Sequence, residues 1–87
     1  MKYATDREYA DPEKAARKLL EIASTIEPVQ DGRIYIELLN GAFLFSHGGS
    51  PAEYGAGLAL AIERGWLWKH VSGTYVRFTQ AGADLLA

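Results

Sequence analysis

Apolar residues recur at the spacing of an α-helix between positions 51 and 64, and helix signals stand at both ends of this segment. Ser50 suits the N-cap, Pro51 suits the first helical position, and Glu53 completes a capping box. Gly65 can adopt the left-handed conformation that ends a helix. We therefore predict a helix here. A strand-like segment follows it at once, which makes this helix the central element of the chain.

Steps of about 100° per residue divide the central helix into a buried and an exposed side. The residues predicted on the buried side are Tyr54, Leu58, Ala61 and Ile62. Those predicted on the opposite side are Ala52, Ala56, Ala59 and Glu63, with Leu60 at the flank. Gly55 and Gly57 each weaken a helix by about 1 kcal/mol relative to alanine. We expect both glycines to allow a neighbouring helix to approach closely.

A second helical pattern lies earlier in the chain and ends before Pro28, because the residue before a proline avoids the helical region. Asp11 is a suitable cap and is followed by a proline and an acid, which favour a helix start. On the polar side, Arg17 and Glu21 stand four residues apart and are predicted to pair. The apolar positions are Ala15, Ala16, Leu19, Leu20, Ile22, Ala23 and Ile26.

The segment between these helices is predicted to hold a short strand and a short helix. Residues 33–36 are β-branched and aromatic, which favours a strand. Residues 37–45 return to helical spacing, although Asn40-Gly41 would also suit a hairpin turn. The apolar residues around that turn do not alternate as the arms of a hairpin should. We therefore choose a second helix over the hairpin.

A hairpin with arms over residues 66–71 and 74–78 is predicted after the central helix, joined by Ser72-Gly73. Thr79 is a suitable N-cap for a last helix over residues 80–86. Because side chains alternate along a strand, the arms present two sides. The predicted inner side holds Leu67, Val76 and Phe78, and the outer side holds Trp66, Trp68, His70, Tyr75 and Arg77.

The composition is that of one small globular domain, which we place over residues 12–87. Residues 1–11 are polar without a clear period, so we expect a flexible arm there, although Tyr3 and Tyr9 offer anchors. A formal net charge of −2 lacks the basic excess of a strong nucleic-acid binder. The chain has no cysteine, which excludes disulfides. It shows neither a secretion signal nor a membrane-spanning run, so we predict a cytoplasmic protein with no membrane contact.

The sequence contains no recognisable pattern of catalytic or metal-binding residues. His47 and His70 are the only histidines, and no carboxylates join them at a spacing typical of zinc sites. Gly48-Gly49 before Ser50 could cradle an anion, but it lacks the lysine of a P-loop, so a capped turn is the simpler interpretation. The acidic residues are not paired by their spacing. We predict no enzyme, no metal, no cofactor and no small-molecule substrate.

The order of predicted elements resembles that of winged helix-turn-helix domains of the small stand-alone bacterial type. A-I-E-R-G-W-L at residues 61–67 is similar to the end of a recognition helix and the start of a wing. Y-V-R-F-T-Q-A-G-A-D-L-L at residues 75–86 looks like the closing strand of the wing and the threonine-capped helix after it. The resemblance spans residues 12–87. It implies an α+β fold, with a three-helix winged-helix core, a short first strand, a two-stranded wing hairpin and a short C-terminal helix.

In that family the helix before the wing enters the major groove of DNA and reads bases with its exposed side chains. The corresponding side here offers alanines and Glu63 instead of the Arg, Lys, Asn or Gln side chains that read bases. The resemblance therefore implies phosphate contacts that position DNA without specifying its sequence, and weak, salt-dependent binding. The residues predicted to contact nucleic acid are Ser50, Arg64, Lys69, Thr74 and Arg77.

The outer side of the predicted hairpin is rich in aromatic residues. If Trp66, Trp68 and Tyr75 are exposed together, they form an apolar patch of the kind that marks partner surfaces. Alternatively, the N-terminal arm or the second helix covers them. The residues predicted to bind a protein partner or a second copy of the chain are Ala56, Leu60, Trp66, Trp68 and Tyr75.

Two functions remain open from the sequence. The first is a small DNA-binding or transcription-accessory protein with weak or non-specific DNA contact. The second is a protein-interaction or dimerisation module that keeps a winged-helix scaffold without DNA readout. The lack of cations on the exposed side of the central helix favours the second function, and the resemblance favours the first. We take DNA binding as the expected function.

Overall fold

The computed structural model describes residues 7–87, except for the side chain of Gln30, and leaves residues 1–6 undescribed. Over this range the chain forms an α+β fold with four α-helices and one antiparallel sheet of three strands, a layout compatible with a winged helix. The helices are α1 (Pro12–Thr25), α2 (Ile36–Gly41), α3 (Pro51–Glu63) and α4 (Gln80–Leu86). The strands are β1 (Ile34–Tyr35), β2 (Leu67–Lys69) and β3 (Tyr75–Phe78).

The start of α3 confirms the predicted capping box. The Ser50 hydroxyl accepts a hydrogen bond from the Glu53 backbone N–H at 3.1 Å, and the Glu53 carboxylate accepts one from the Ser50 N–H at 2.9 Å. At the other end Gly65 adopts a φ of 75°, as the predicted helix stop requires. Both signals are local, since each joins residues within one turn of the helix.

The predicted first helix is also confirmed, with one pairing corrected. Asp11 caps α1 by accepting from the Glu13 N–H at 2.9 Å, and the predicted apolar positions are buried except for Ile26, which is half-buried. The predicted pair of Arg17 with Glu21 is wrong. Arg17 instead bonds Glu13 at 3.2 Å, one turn earlier, while the Glu21 carboxylate bonds a lysine.

The choice of a second helix over a hairpin is confirmed for residues 37–45. Helix α2 begins one residue earlier, at Ile36, so β1 is shorter than the predicted strand. It continues into a π turn over Ala42–Ser46. This turn buries Phe43 completely and leaves Phe45 87% exposed.

The hairpin of β2 and β3 is confirmed, although its strands are shorter than predicted. Leu67 faces Phe78 and Trp68 faces Arg77, so the inner and outer sides alternate as expected. Leu67 and Val76 are buried on the inner side, where Phe78 is half-buried. Strand β1 adds to the other edge of β3, a pairing that the local pattern did not predict. Thr79 caps α4 by accepting from the Gly82 N–H at 3.0 Å.

The packing of α3 against α1 separates its two glycines. A Cβ atom on Gly57 would lie 2.8 Å from the Cβ of Ala15, closer than real contacts allow. Gly55 is exposed, and a Cβ there would meet nothing within 4 Å. Close approach is therefore confirmed at Gly57, and its prediction at Gly55 is wrong.

The described part of the N-terminal arm lies against the body of the domain. A short 3-10 turn spans Glu8–Ala10, and the Tyr9 ring packs on Phe43 with 5.0 Å between ring centres. Arg7 forms two hydrogen bonds of 2.7 Å with the carboxylate of Glu53. Tyr3 and the rest of the arm fall outside the described residues.

The helices in the described range are short or polar. Within residues 7–87, none of them combines the length and the apolar character that a membrane-crossing helix needs.

Candidate functional site

Six side chains gather on the face of the sheet that points away from the core. The register pairs Tyr35 with Tyr75 and Trp68 with Arg77, which places all four on one side. Arg33 lies two residues before Tyr35, and His70 lies two residues after Trp68. Because side chains alternate along a strand, both fall on the same side as these residues. We call this surface the outer sheet face, and its residues are Arg33, Tyr35, Trp68, His70, Tyr75 and Arg77.

Tyr75 forms the floor of the outer sheet face. Its ring stacks on the imidazole of His70, with ring centres 4.7 Å apart and planes at 18°. The guanidinium of Arg33 lies 4.7 Å from the same ring. These neighbours leave Tyr75 only 5% exposed. Its ring orders the surrounding cations and is closed to a large ligand.

Arg77 occupies the middle of the face. Its guanidinium lies 5.0 Å from the ring centre of Trp68 and 5.9 Å from that of Tyr75, distances typical of cation–π contacts. The Nε atoms of Arg77 and Arg33 are both buried, and neither has a hydrogen-bond partner in the described part of the chain. Arg33 has a long ion pair of 3.9 Å with Asp31, whereas no ion pair within residues 7–87 involves Arg77. Aromatic rings contact both cations, and a carboxylate pairs only with Arg33 among the described residues.

Two rings of the outer sheet face remain open to solvent. Trp68 is 45% exposed and Tyr35 is 38% exposed. The predicted patch of Trp66, Trp68 and Tyr75 does not form, because only Trp68 is exposed. An exposed pair of rings therefore flanks a buried tyrosine and two arginines.

Trp66 is absent from this face, because it lies in the bend between α3 and β2 and its ring is buried. It is 9% exposed, and its ring lies 5.5 Å from the guanidiniums of both Arg17 and Arg64. Its carbonyl oxygen accepts from the Thr79 N–H at 3.2 Å, and Gly82 of α4 packs directly on its backbone. Within residues 7–87, the contacts to Trp66 thus come from α1, α4 and Arg64 at the end of α3.

The turn of the hairpin holds a chain of polar side chains. The Nδ1 atom of His70 bonds the Ser72 hydroxyl at 2.8 Å, and this hydroxyl bonds that of Thr74 at 2.8 Å. Lys69 is exposed, but it faces Val76 in the register and so belongs to the other face from Trp68. Of the three hairpin residues predicted to contact nucleic acid, Arg77 alone lies on the outer sheet face.

The other two predicted nucleic-acid residues lie at opposite ends of α3, roughly 20 Å apart by helical rise. Both polar groups of Ser50 are bonded to Glu53. The guanidinium of Arg64 lies 3.7 Å from a Glu13 carboxylate oxygen. The structure thus separates the residues predicted to contact nucleic acid among the start of α3, the end of α3 and the hairpin.

The exposed side of α3 matches its predicted composition. Ala52, Ala56, Ala59 and Glu63 are exposed, and Leu60 is half-buried at the flank. From Pro51 to Glu63 this helix contains no cation. Its surface is small, smooth and without donors for base edges.

Arg33 and Tyr35 were not predicted as site residues. Alternation along the strand does place them on one side. The sequence does not indicate the partner of that strand, and only the pairing of β1 with β3 brings Arg33 and Tyr35 beside Tyr75.

The chain matches no known family model, no curated protein and no solved structure.

Proposed function

We propose that this protein is a small winged-helix-type domain that contacts DNA through the outer sheet face. The observation that supports this most directly is Arg77, a cation held between aromatic rings with no ion pair among the described residues. Arg33 lies on the same face and has only a long contact to Asp31. Guanidinium groups bind phosphate with paired, charge-assisted hydrogen bonds. Two such groups on one face suit a phosphate backbone.

The exposed side of α3 argues against sequence readout in this proposal. Reading bases in the major groove requires polar donors and acceptors, and this side offers methyl groups and Glu63. Phosphate contacts alone position DNA without specifying its sequence. The proposed binding is therefore weak, indifferent to sequence and sensitive to salt, in line with the net charge of −2.

The test is a titration of the protein with a mixed-sequence DNA duplex, followed by backbone amide shifts at low salt. Shifts are expected at Arg33, Arg77 and their strand neighbours. With two phosphate contacts, a plot of log affinity against log salt should have a slope of about −2. Arg77→Gln should reduce the slope by about one. Lys14→Gln, which removes an exposed charge from α1, is the matched control and should leave the shift pattern on the sheet unchanged.

Absence of any shift on the outer sheet face at low salt would refute DNA contact by this face. Equal losses for Arg77→Gln and Lys14→Gln would show instead that binding follows net charge alone.

A second candidate function is a module that binds a protein partner or a second copy of itself. The observation that favours it is the exposed side of α3, where Ala56 and the half-buried Leu60 form part of a smooth surface without a cation. Sedimentation equilibrium of the free protein tests it. A dimer that forms with rising concentration and is abolished by Ala56→Arg would favour this function. A monomer at all concentrations would exclude self-association.

A further inference from the structure

The geometry points to unpaired bases as the ligand of the two exposed rings on the outer sheet face, so that the protein prefers single-stranded DNA over duplex. This inference rests on the proposed function, because it assumes that the face contacts nucleic acid. It adds the form of DNA and the residues that select it, which are Trp68 and Tyr35.

The first step is the chemistry of the face. Trp68 and Tyr35 offer exposed rings, and Arg33 and Arg77 lie among them as cations. A single strand presents the complementary series, in which flat bases alternate with negative phosphates. Bases stack on aromatic side chains whatever their identity, because every base has a π-face. The composition of the face therefore matches a strand whose bases are free.

The second step is distance. Tyr35 is on one edge strand and Trp68 on the other, with β3 between them. Their register positions on β3, opposite Tyr75 and Arg77, differ by two residues. Strand spacing and rise put their backbones about 12 Å apart. Neighbouring stacked bases along one duplex strand are only about 3.4 Å apart. The two rings are therefore too far apart for adjacent stacked bases. In a duplex both faces of a base are covered by its neighbours, so a base that stacks on either ring must be unstacked, as it can be in a single strand.

The third step is that the two arginine side chains are already ordered before a ligand binds. The cation–π contacts hold Arg33 and Arg77 in place without a ligand. Arg33 nevertheless keeps about a third of its side chain exposed, at 35%. Side chains already ordered lose less freedom on binding. The remaining N–H groups of each guanidinium are available for phosphates on either side of a stacked base.

The experiment compares affinities for two labelled probes of the same mixed sequence by fluorescence anisotropy at low salt. One is a single strand of about twelve nucleotides, within the range of known single-strand sites, and the other is its duplex. Wild-type protein should bind the single strand more tightly. Trp68→Ala should weaken single-strand binding by about five- to 100-fold and duplex binding much less, because a duplex loses only the ring that orders Arg77. Phe45→Ala, which removes an 87% exposed ring from the π turn after α2, is the matched control.

A wild-type measurement covers the case in which Trp68→Ala fails to fold. The indole N–H resonance of Trp68 should shift on adding the single strand, while that of the buried Trp66 should not. Duplex binding equal to or tighter than single-strand binding, with no response of Trp68, would overturn this inference and leave the proposed function standing. Absence of binding to both probes would overturn both.

Discussion

At the residue scale, single atoms decide how closely the two longest helices meet. The missing Cβ of Gly57 lets α1 approach α3, whereas the missing Cβ of Gly55 faces solvent. The same helix carries Tyr54, whose hydroxyl is buried and has no hydrogen-bond partner among residues 7–87. At Gly57 and Tyr54, the surroundings of the side chain therefore decide whether a substitution raises or lowers the free energy of unfolding.

Replacement of the two glycines by alanine should have opposite effects. Gly57→Ala would place a Cβ 2.8 Å from that of Ala15, so the helices must separate, and we expect a loss of about 1–3 kcal/mol in the free energy of unfolding. Gly55→Ala adds only helix propensity and should stabilise by about 0.5–1 kcal/mol. Urea unfolding of both variants measures the difference. Similar effects of the two substitutions would contradict the close packing at Gly57.

Tyr54 should contribute a dependence of stability on alkaline pH. Burial raises the pKa of Tyr54 to about 12, above the value of about 10 for an unfolded chain. The folded state therefore favours the neutral phenol. This contribution is complete below pH 10 and is lost as the pH rises through 12.

Tyr54→Phe should remove this contribution to the loss of stability between pH 10 and 12. It also removes a buried hydroxyl that has no partner, so stability at neutral pH should rise by up to about 1 kcal/mol. Urea unfolding from pH 8 to 12 measures both effects. Tyr35→Phe, which removes an exposed phenol, serves as the control. A large loss of stability in Tyr54→Phe at neutral pH would show that the hydroxyl does have a partner.

At the element scale, the N-terminus of α3 joins a local cap to a distant segment. Glu53 closes the capping box with Ser50 and also bonds Arg7, which lies 46 residues away in sequence. One carboxylate thus fixes both the start of α3 and the position of the arm against it. The element should respond to acid, because both partners stabilise the charged form of Glu53.

The acid response of α3 follows from the pKa of Glu53. The hydrogen bond from Arg7, followed by that from the Ser50 backbone, lowers this pKa from an ordinary value of 4.5 to about 2. A lowered pKa stabilises the folded state above pH 4.5, and this stabilisation is lost as the pH falls through 2. We expect Arg7→Gln to raise the pKa of Glu53 measured by carboxyl shift titration. Ser50→Ala, which keeps the Ser50 backbone N–H, should raise it less. An unchanged pKa in Arg7→Gln would contradict the ion pair.

At the scale of the whole molecule, one core joins every layer of the fold. Buried residues from α1, α2, α3 and the sheet belong to one continuous cluster. Representative members are Leu19, Phe43, Leu58 and Val76. A small domain with one core has no independent part that can stay folded when the rest unfolds.

Unfolding should therefore be a single cooperative transition. Tryptophan fluorescence reports on the sheet region, since Trp68 lies in β2 and Trp66 directly precedes it. Far-ultraviolet circular dichroism reports mainly on the helices. The two signals should give the same midpoint and slope in urea. Separate transitions would show that the hairpin or a helix unfolds on its own.

The winged-helix resemblance belongs to this largest scale, because it concerns the order and arrangement of all the elements. The order of helices and strands is compatible with it, and the sheet has three strands. The proposed contact with DNA depends on the outer sheet face, a surface that exists only when β1, β2 and β3 are assembled. The proposed function thus depends on the assembled sheet and not on any one motif.

Interactions between near neighbours in the chain were enough to predict the helices and the hairpin. The caps at Asp11, Ser50 and Thr79 and the stop at Gly65 each act within one turn, so the residues that specify them stand side by side in the sequence. The burial of apolar positions on α1 followed for the same reason, because helical spacing alone selects a face.

Contacts between distant segments decided the rest. The pairing of β1 with β3 brings Arg33 and Tyr35 to Tyr75, and the packing of α4 hides Trp66. The contact of Gly57 with Ala15 likewise depends on how two helices cross. Periodicity states which side of an element a residue occupies, but not what lies opposite. Which aromatic rings stay exposed, and hence where a ligand can bind, was therefore set only by the tertiary structure.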